Sequence, residues 1–407
     1  MYAEDVPLTQ IARQFGTPTY VYSKAALHGA YRSFANACAG RDVLICYALK
    51  ANSNLAVINQ FAQLGAGFDI VSGGELARVI AAGGDPKKVL FSGVGKKADE
   101  IRYALAQEVL CFNLESAQEL DRVNEVALSM GKRARVSFRV NPEVDAQTHP
   151  YISTGLKENK FGVEFGSALA LYRKAATLPG VEVTGMDCHI GSQLVDAAPL
   201  LEAMDKLLQL VDQLAAEGIH LHHLDLGGGV GIRYTDETPI DPVFYLGEVF
   251  KRLGARKLTI MFEFGRALVG NAGVLLTEVQ YLKHTEQADG RNFCVIDAAM
   301  NDLIRPALYQ SYHRIEPVTL RSGAGQVYDV VGPVCESGDF LGKARRLNVA
   351  QGDLLTVMSA GAYGMVQSSN YNTRTRAAEV LVDGLNVHQV RRRETVEELF
   401  ALESIVP

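Results

Sequence analysis

The chemistry of this chain is most readily read from Lys50. It ends an uncharged run, Val43-Leu44-Ile45-Cys46-Tyr47-Ala48-Leu49, and is followed by Ala51-Asn52. The β-branched and aromatic content of that run predicts a strand buried on both faces. An ammonium group at its carboxyl end is either a tip that snorkels into water or a group in use. One use fits well: an amine in a partly dry pocket sheds its proton more readily and attacks a carbonyl to form a Schiff base.

Other groups fall at the ends of similar runs. His189, in Asp187-Cys188-His189-Ile190-Gly191-Ser192, is either a satisfied core imidazole or a ring placed to stack on a flat cofactor, with Ser192 offering a hydroxyl to phosphate. Gly227, Gly228 and Gly229 are either a tight turn or a loop whose N–H groups face an anion. Glu263, in Glu263-Phe264-Gly265-Arg266, is either half of a structural ion pair with Arg266 or the carboxylate that keeps a heterocyclic nitrogen protonated. Asp69 closes another run, and Ser72 with Glu75 reads as a capping box. Further on, Cys335-Glu336-Ser337-Gly338-Asp339 sets a thiol beside a carboxylate, where an inert core cysteine is the plain alternative.

These residues need a scaffold, and the spacing supplies one. Strand-like runs are expected at 43–49, 68–71, 88–91, 109–112, 134–140, 183–189, 221–226 and 258–263. Helical periodicity lies between them, as in 117–130 and 200–216. Eight strands alternating with helices predict an α/β fold, a (β/α)8 TIM barrel, whose functional groups gather at the carboxyl ends of the strands. An open doubly wound sheet is the rival, but no glycine fingerprint follows the first run. Beyond about residue 270, runs at 274–281, 293–296, 326–331, 354–358 and 378–382 lack intervening helices and predict a mainly β C-terminal domain. The segment 18–22 reads as a strand that joins it. The expected division is 1–30 with the β domain, 31–270 as the barrel and 271–407 as the β domain.

The chain has 407 residues, 48% hydrophobic and 21% charged, with a formal net charge of −6, which suits a globular enzyme with no footprint for nucleic acid or an anionic membrane. Arg391-Arg392-Arg393, followed by Glu394, reads as a solvated face. No apolar stretch approaches ~20 residues, and no secretory signal is evident. Six scattered cysteines suggest neither disulfides nor a zinc site. A cytoplasmic location without metal is expected.

Together, Tyr47-Ala48-Leu49-Lys50-Ala51-Asn52, His189-Ile190-Gly191-Ser192, the glycines 227–229, Glu263-Phe264-Gly265-Arg266, Arg305-Pro306-Ala307-Leu308-Tyr309, Cys335-Glu336-Ser337-Gly338-Asp339 and Gly361-Ala362-Tyr363-Gly364 resemble the alanine-racemase-type pyridoxal-phosphate decarboxylases. Within that group the likeness is to the diaminopimelate decarboxylase family, and the stretch 154–162 resembles its active-site loop. The resemblance implies decarboxylation of meso-2,6-diaminopimelate to L-lysine with pyridoxal 5'-phosphate as cofactor. It makes Lys50 the Schiff-base lysine and places His189 on the ring, with Asp69 also in the cofactor site. Glu263 would face the pyridine nitrogen, and Ser192, Gly227, Gly228, Gly229, Gly265, Arg266 and Tyr363 would surround the phosphate.

Arg266, Arg305, Tyr309, Glu336 and Tyr363 would hold the substrate, and Cys335 would be the proton donor or its neighbour. Cys335 and Glu336 would serve the partner's pocket in a homodimer. Phe264 departs from the family, where proline is common, but removes no functional group. Asp302, close to Arg305, leaves room for a cationic substrate end, so an ornithine or arginine decarboxylase stays open. An alanine racemase and a non-catalytic cofactor carrier are more distant readings.

Overall fold

A computed structural model of the chain describes residues 1–145, 160–287 and 290–407. It comprises two compact units, one formed by Met1–Gly29, Arg233–Glu237 and Leu268–Pro407, the other by Ala30–Ile232 with Thr238–Ala267.

In the second unit, eight parallel strands close on themselves. Val43–Ala48 pairs with Gly67–Ile70, and the ladder continues through Val89–Phe91, Cys111–Leu114, Ala134–Asn141, Val181–Asp187, His223–Asp225 and Thr259–Phe264. The last strand pairs back onto Val43–Ala48, with Glu263 opposite Cys46 and Phe264 opposite Tyr47. The expected barrel is therefore present, and closure removes the open-sheet rival. Helices follow the strands, several started by a side-chain cap. Asn54, Ser72, Ser116 and Asp241 each accept from a main-chain N–H of the first turn. Such a cap is worth about 1 kcal/mol. The predicted helices at 117–130 and 200–216 are found as Ala117–Ser129 and Ala198–Ala216.

The barrel interior is layered because side chains alternate along each strand. Cys46, Leu90, Cys111 and Met261 form one apolar cluster. Two residues further along three of these strands come Ser92, Asn113 and Glu263, so a polar layer stands on an apolar floor at the carboxyl end.

In the β-rich unit, Gly273–Lys283 is the central strand. It pairs antiparallel with Thr19–Ser23, Phe293–Ile296 and Leu354–Val357. Thr19–Ser23 also pairs, in parallel, with Ala378–Asp383, so the opening strand belongs to this sheet as expected. Val21, Leu276, Val380 and Val382 pack with Val6, Leu8 and Ile11 as its core. Among the strands that escaped the sequence reading, the two longest are Phe340–Leu347 and Asn386–Arg391. The first carries Gly342 and three basic residues; the second is a polar edge, so neither shows apolar alternation.

The basic run 391–393 is not uniformly solvated. Arg393 turns inward and donates to Pro18 O at 2.7 Å, Arg391 pairs with Glu394, and Arg392 alone is exposed. Inward guanidinium donors satisfy carbonyls that charge counting cannot see. All six cysteines are free; five are buried and Cys335 is exposed. Among the described residues, no helix is long and apolar enough to cross a membrane.

Candidate active site

Lys50 sits where its strand gives way to the short turn Leu49–Ala51. Its Nζ lies 2.8 Å from Asp69 Oδ2, at the end of the next strand. The lysine side chain is 36% exposed and the aspartate fully buried. Asp69 Oδ1 has no hydrogen-bond partner among the described residues. A buried carboxylate thus holds an amine whose own side chain is partly exposed.

Glu263 is buried at the end of the eighth strand. Ser92 Oγ donates to its Oε1 at 3.2 Å, and Asn113 Nδ2 to the same oxygen at 3.3 Å. Asn113 is oriented in turn: its Oδ1 accepts from Ser137 Oγ at 2.5 Å, which aims its NH2 at Glu263. Burial pushes the Glu263 carboxyl well above the usual range, and the carboxylates of Asp69, Asp225 and Asp187 push the same way, while Lys50 opposes them. Oxygens of Asp187, Asp225 and Glu263 all lie within 4.8 Å of one another. Asp187 and Asp225 are likewise raised, chiefly by burial.

His189 follows the sixth strand. Its Nδ1 accepts from the Gly228 N–H at 3.2 Å, which assigns the ring proton to Nε2, and its carbonyl accepts from Arg139 Nη2 at 3.1 Å. Burial holds the imidazole well below its ordinary pKa, and the cations Arg139 and Lys50 add to the effect. The ring is neutral at physiological pH.

The glycine run is tighter than a simple anion loop requires. Gly227 and Gly229 have φ of +65° and +95°. A Cβ at Gly227 would strike Cys188 O, one at Gly228 would strike Glu263 O, and one at Gly229 would lie 2.7 Å from Gly191 O. The Gly227 N–H donates to Asp225 Oδ1 at 2.8 Å, so two of the three N–H groups are used inside the protein. Beside the run, Arg266 Nη2 donates to Ser192 Oγ at 3.0 Å. Gly265 packs against the first strand's end, where a Cβ would come 3.0 Å from that of Ala51.

Behind these groups runs a buried ionic chain absent from the sequence reading. The Lys96 side chain, 0% exposed, pairs with Glu119 at 2.7 Å. Glu119 Oε2 accepts from the Glu115 N–H, Glu115 pairs with Arg139 at 3.3 Å, and Arg139 reaches His189. Lys96 has no motif around it that distinguishes it from a surface lysine. Asp187 and Asp225 were legible only through strand alternation, each lying two residues before a named group.

Ser72 Oγ accepts from the Glu75 N–H at 3.2 Å, as a cap should. The reciprocal bond goes to Val71 N rather than to Ser72, so the capping box is half formed. Burial raises the Glu75 carboxyl to about 7.

In the β-rich unit, Arg305 is buried and donates to Ser311 Oγ at 3.2 Å, with Tyr309 and Tyr363 nearby. Asp302 does not offer itself to a cationic ligand. It is 1% exposed, accepts from Ala299 N at 3.0 Å and lies 3.9 Å from Arg374. The sequence placed it close to Arg305, but its side chain is committed to the local turn. Cys335 and Glu336 are exposed on a loop pinned by Asp339 Oδ2, which accepts from Val334 N, and by Asn372 Oδ1, which accepts from Cys335 N. The expected loop 154–162 lies mostly outside the described residues. Of its end, Gly162 N donates to Glu115 at 2.5 Å.

Comparison with known proteins agrees with this geometry. The family described as pyridoxal-dependent decarboxylase, pyridoxal binding domain, matches residues 24–270. A diaminopimelate decarboxylase of Pseudomonas aeruginosa is 61% identical over 407 residues, covering 100% of this chain and 97% of its own length. That of Pseudomonas fluorescens is 59% identical over 408 residues, covering 100% and 97%. The crystal structure of diaminopimelate decarboxylase from Helicobacter pylori complexed with L-lysine superposes with a TM-score of 0.94 at 41% identity, covering 97% of this chain and 99% of that one.

Proposed function

Because the chain belongs to the pyridoxal-dependent decarboxylases and, among them, to the diaminopimelate decarboxylase family, we propose that Lys50, Glu263 and His189 form the cofactor-holding core of its active site. The enzyme is a carboxy-lyase that releases CO2 from meso-2,6-diaminopimelate to leave L-lysine, in lysine biosynthesis, with pyridoxal 5'-phosphate as cofactor. When bound, the cofactor supplies a protonated ring that takes up the electron pair left behind by the departing CO2.

The residues present fit that group. Lys50 is the amine that attaches it, and Asp69, with one buried oxygen left over, steadies the ammonium beforehand. Glu263 is the single observation that carries the reading. A buried carboxylate surrounded by other carboxylates is costly unless a positive partner arrives, and a pyridinium nitrogen is such a partner. Two donors on Oε1 fix its plane before the ring arrives.

A neutral His189 stacks without repelling the positively charged ring nitrogen. Ser192, Arg266, Gly265 and the close-packed glycines 227–229 take the phosphate, together with Tyr363. Arg266, Arg305, Tyr309, Glu336 and Tyr363 hold the substrate. Two guanidinium groups and a carboxylate suit a remote end bearing both a carboxylate and an ammonium group, and a simple diamine precursor would leave an arginine without a matching anion. That argument favours diaminopimelate over ornithine. Cys335 protonates the product carbon or neighbours the group that does, and we place it with Glu336 in the partner's site of a cytoplasmic homodimer.

The test is CO2 release from meso-diaminopimelate, ornithine and arginine. It is paired with the visible absorbance of the purified protein and with borohydride reduction followed by peptide mass mapping. Diaminopimelate turnover and a cofactor fixed on the Lys50 peptide are expected. Preferential ornithine turnover, or label on another lysine, would overturn the assignment.

A further inference from the structure

We infer that Tyr234 is a specificity-determining residue. Together with Tyr309 and Tyr363 it walls the Arg305 guanidinium, so that this arginine accepts a ligand end bearing a carboxylate and rejects one that lacks it. The inference rests on reading Arg305 as a substrate residue.

The Cζ of Arg305 lies 5.9 Å from the Tyr234 ring centroid, 5.6 Å from that of Tyr309 and 5.7 Å from that of Tyr363. The residue is 7% exposed. Three rings at nearly equal distances strip water from the cation and attract it through their faces. A guanidinium held this way favours a planar acceptor that takes two parallel hydrogen bonds, which a carboxylate offers and an ammonium does not. A ligand without that carboxylate forgoes both bonds and sets its own charge against the cation. A site built for paired hydrogen bonds discriminates more sharply than shape alone.

Tyr309 and Tyr363 were both named from the sequence. Tyr234 was not, and it reaches Arg305 by a different route. It lies in the segment Arg233–Glu237, which packs with the β-rich unit although its chain neighbours on both sides belong to the barrel. Two contacts fix it there. Its main-chain N–H donates to Glu237 Oε2 at 3.0 Å. Its ring meets that of His313 edge-on, with centroids 5.3 Å apart and planes at 81°. His313 is fully buried, and its Nδ1 lies 2.8 Å from Met358 O, so the surface against which Tyr234 rests is itself fixed. Support from behind of this kind is what keeps a recognition group in place.

The experiment compares the holoenzyme with Tyr234→Phe, Tyr234→Met and His313→Gln. Steady-state turnover of meso-diaminopimelate is measured, along with competitive inhibition by L-lysine and by 1,5-diaminopentane, which lacks the carboxylate. Tyr234→Met is expected to raise KM about tenfold with kcat within about twofold. The preference for L-lysine over 1,5-diaminopentane should shrink by a similar factor, and the cofactor absorbance should not change. Tyr234→Phe keeps the ring face and should stay within about twofold of wild type in every respect. His313→Gln loosens the ring without removing it and should move KM and the inhibitor ratio the same way, by about threefold.

An unchanged KM and inhibitor ratio in both Tyr234→Met and His313→Gln would overturn the role of Tyr234 while leaving the reading of function intact. So would a Tyr234→Phe enzyme as impaired as Tyr234→Met. Wild-type protein that released no CO2 from meso-diaminopimelate would instead overturn that reading, and this inference with it.

Discussion

The Lys96 ammonium donates to the main-chain oxygen of Asn113 at 2.7 Å, and so fixes the strand end from which the Asn113 amide reaches Glu263. The same ammonium donates to Gly93 O at 2.9 Å, one residue beyond Ser92, the other donor to Glu263. One buried cation therefore ties down both peptide segments that orient a carboxylate it never touches. The barrel supplies strand ends in the right order, and Lys96 sets two of them at a fixed separation.

Removing that cation should be costly. Lys96→Met leaves Glu119 buried without its partner, which typically costs about 3–5 kcal/mol. Adding Glu119→Leu removes the stranded charge and should recover most of the loss. Denaturant unfolding of the two variants against wild type checks both steps. A single variant as stable as the double would contradict the account.

Ser92 and Asn113 address the same oxygen, so their contributions should not add. Hydrogen bonds to a charged group are worth about 1.5–3 kcal/mol each. Ser92→Ala and Asn113→Ala should each lower kcat by about tenfold or more. The double variant should lose more than the product of the two, because in each single variant the remaining donor recentres on Oε1 and offsets part of the loss. A double-mutant cycle in kcat measures the coupling, and strict additivity would contradict the shared-oxygen geometry.

Asp225 gives a pH signature. Burial raises its carboxyl, the Asp69 carboxylate raises it further and Asp187 and Glu263 lie close by, while the Gly227 N–H, Lys50 and Arg139 work the other way. In the unfolded chain it titrates near about 3.9. Between that pH and the higher folded value, the folded chain binds the extra proton, so this group's contribution to stability is present at low pH and lost as pH rises. An amide in place of the carboxyl cannot ionise, and its oxygen can still accept from the Gly227 N–H. Asp225→Asn in the cofactor-free protein should therefore match wild type near pH 4. It should melt a few degrees higher near pH 8, a difference on the order of 2 kcal/mol. The slope comes from Tm measured across pH 4–8. A gap that narrowed with rising pH would mean that Asp225 is stabilised as a carboxylate.

Much of this was legible in the sequence because barrel strands buried on both faces show as uninterrupted apolar runs. Each strand end shows as the last residue of an apolar run, and Lys50, His189 and Glu263 were found in that way. What escaped lay off that pattern. Phe340–Leu347 and Asn386–Arg391 are strands whose faces are polar, so alternation never marks them. Lys96 is a loop lysine until folding places three acceptors around it. Tyr234 is one tyrosine among 16 in the chain until the segment carrying it is seen to pack beside Arg305. Glycines 227–229 were recognised, yet their tightness comes from carbonyls of neighbouring strand ends, which no local spacing encodes.

The exposure of Cys335 leads to the last prediction. A thiol in an apolar core would do no chemistry, but this one stands on a surface loop held by Asn372 and Asp339, beside an exposed Glu336. A surface loop carrying a thiol and a carboxylate suits delivery into a second copy's site, where burial would follow assembly. If each site takes Lys50 from one chain and Cys335 from the other, then Lys50→Ala and Cys335→Ala, each nearly inactive alone, should complement when mixed and allowed to exchange. Random pairing makes half the dimers mixed, each with one complete site of two, so about a quarter of wild-type activity is expected. Recovery is followed as CO2 release against the mixing ratio, with a maximum near equal amounts. Activity that never exceeds the sum of the separate variants would place both residues in a site built from one chain.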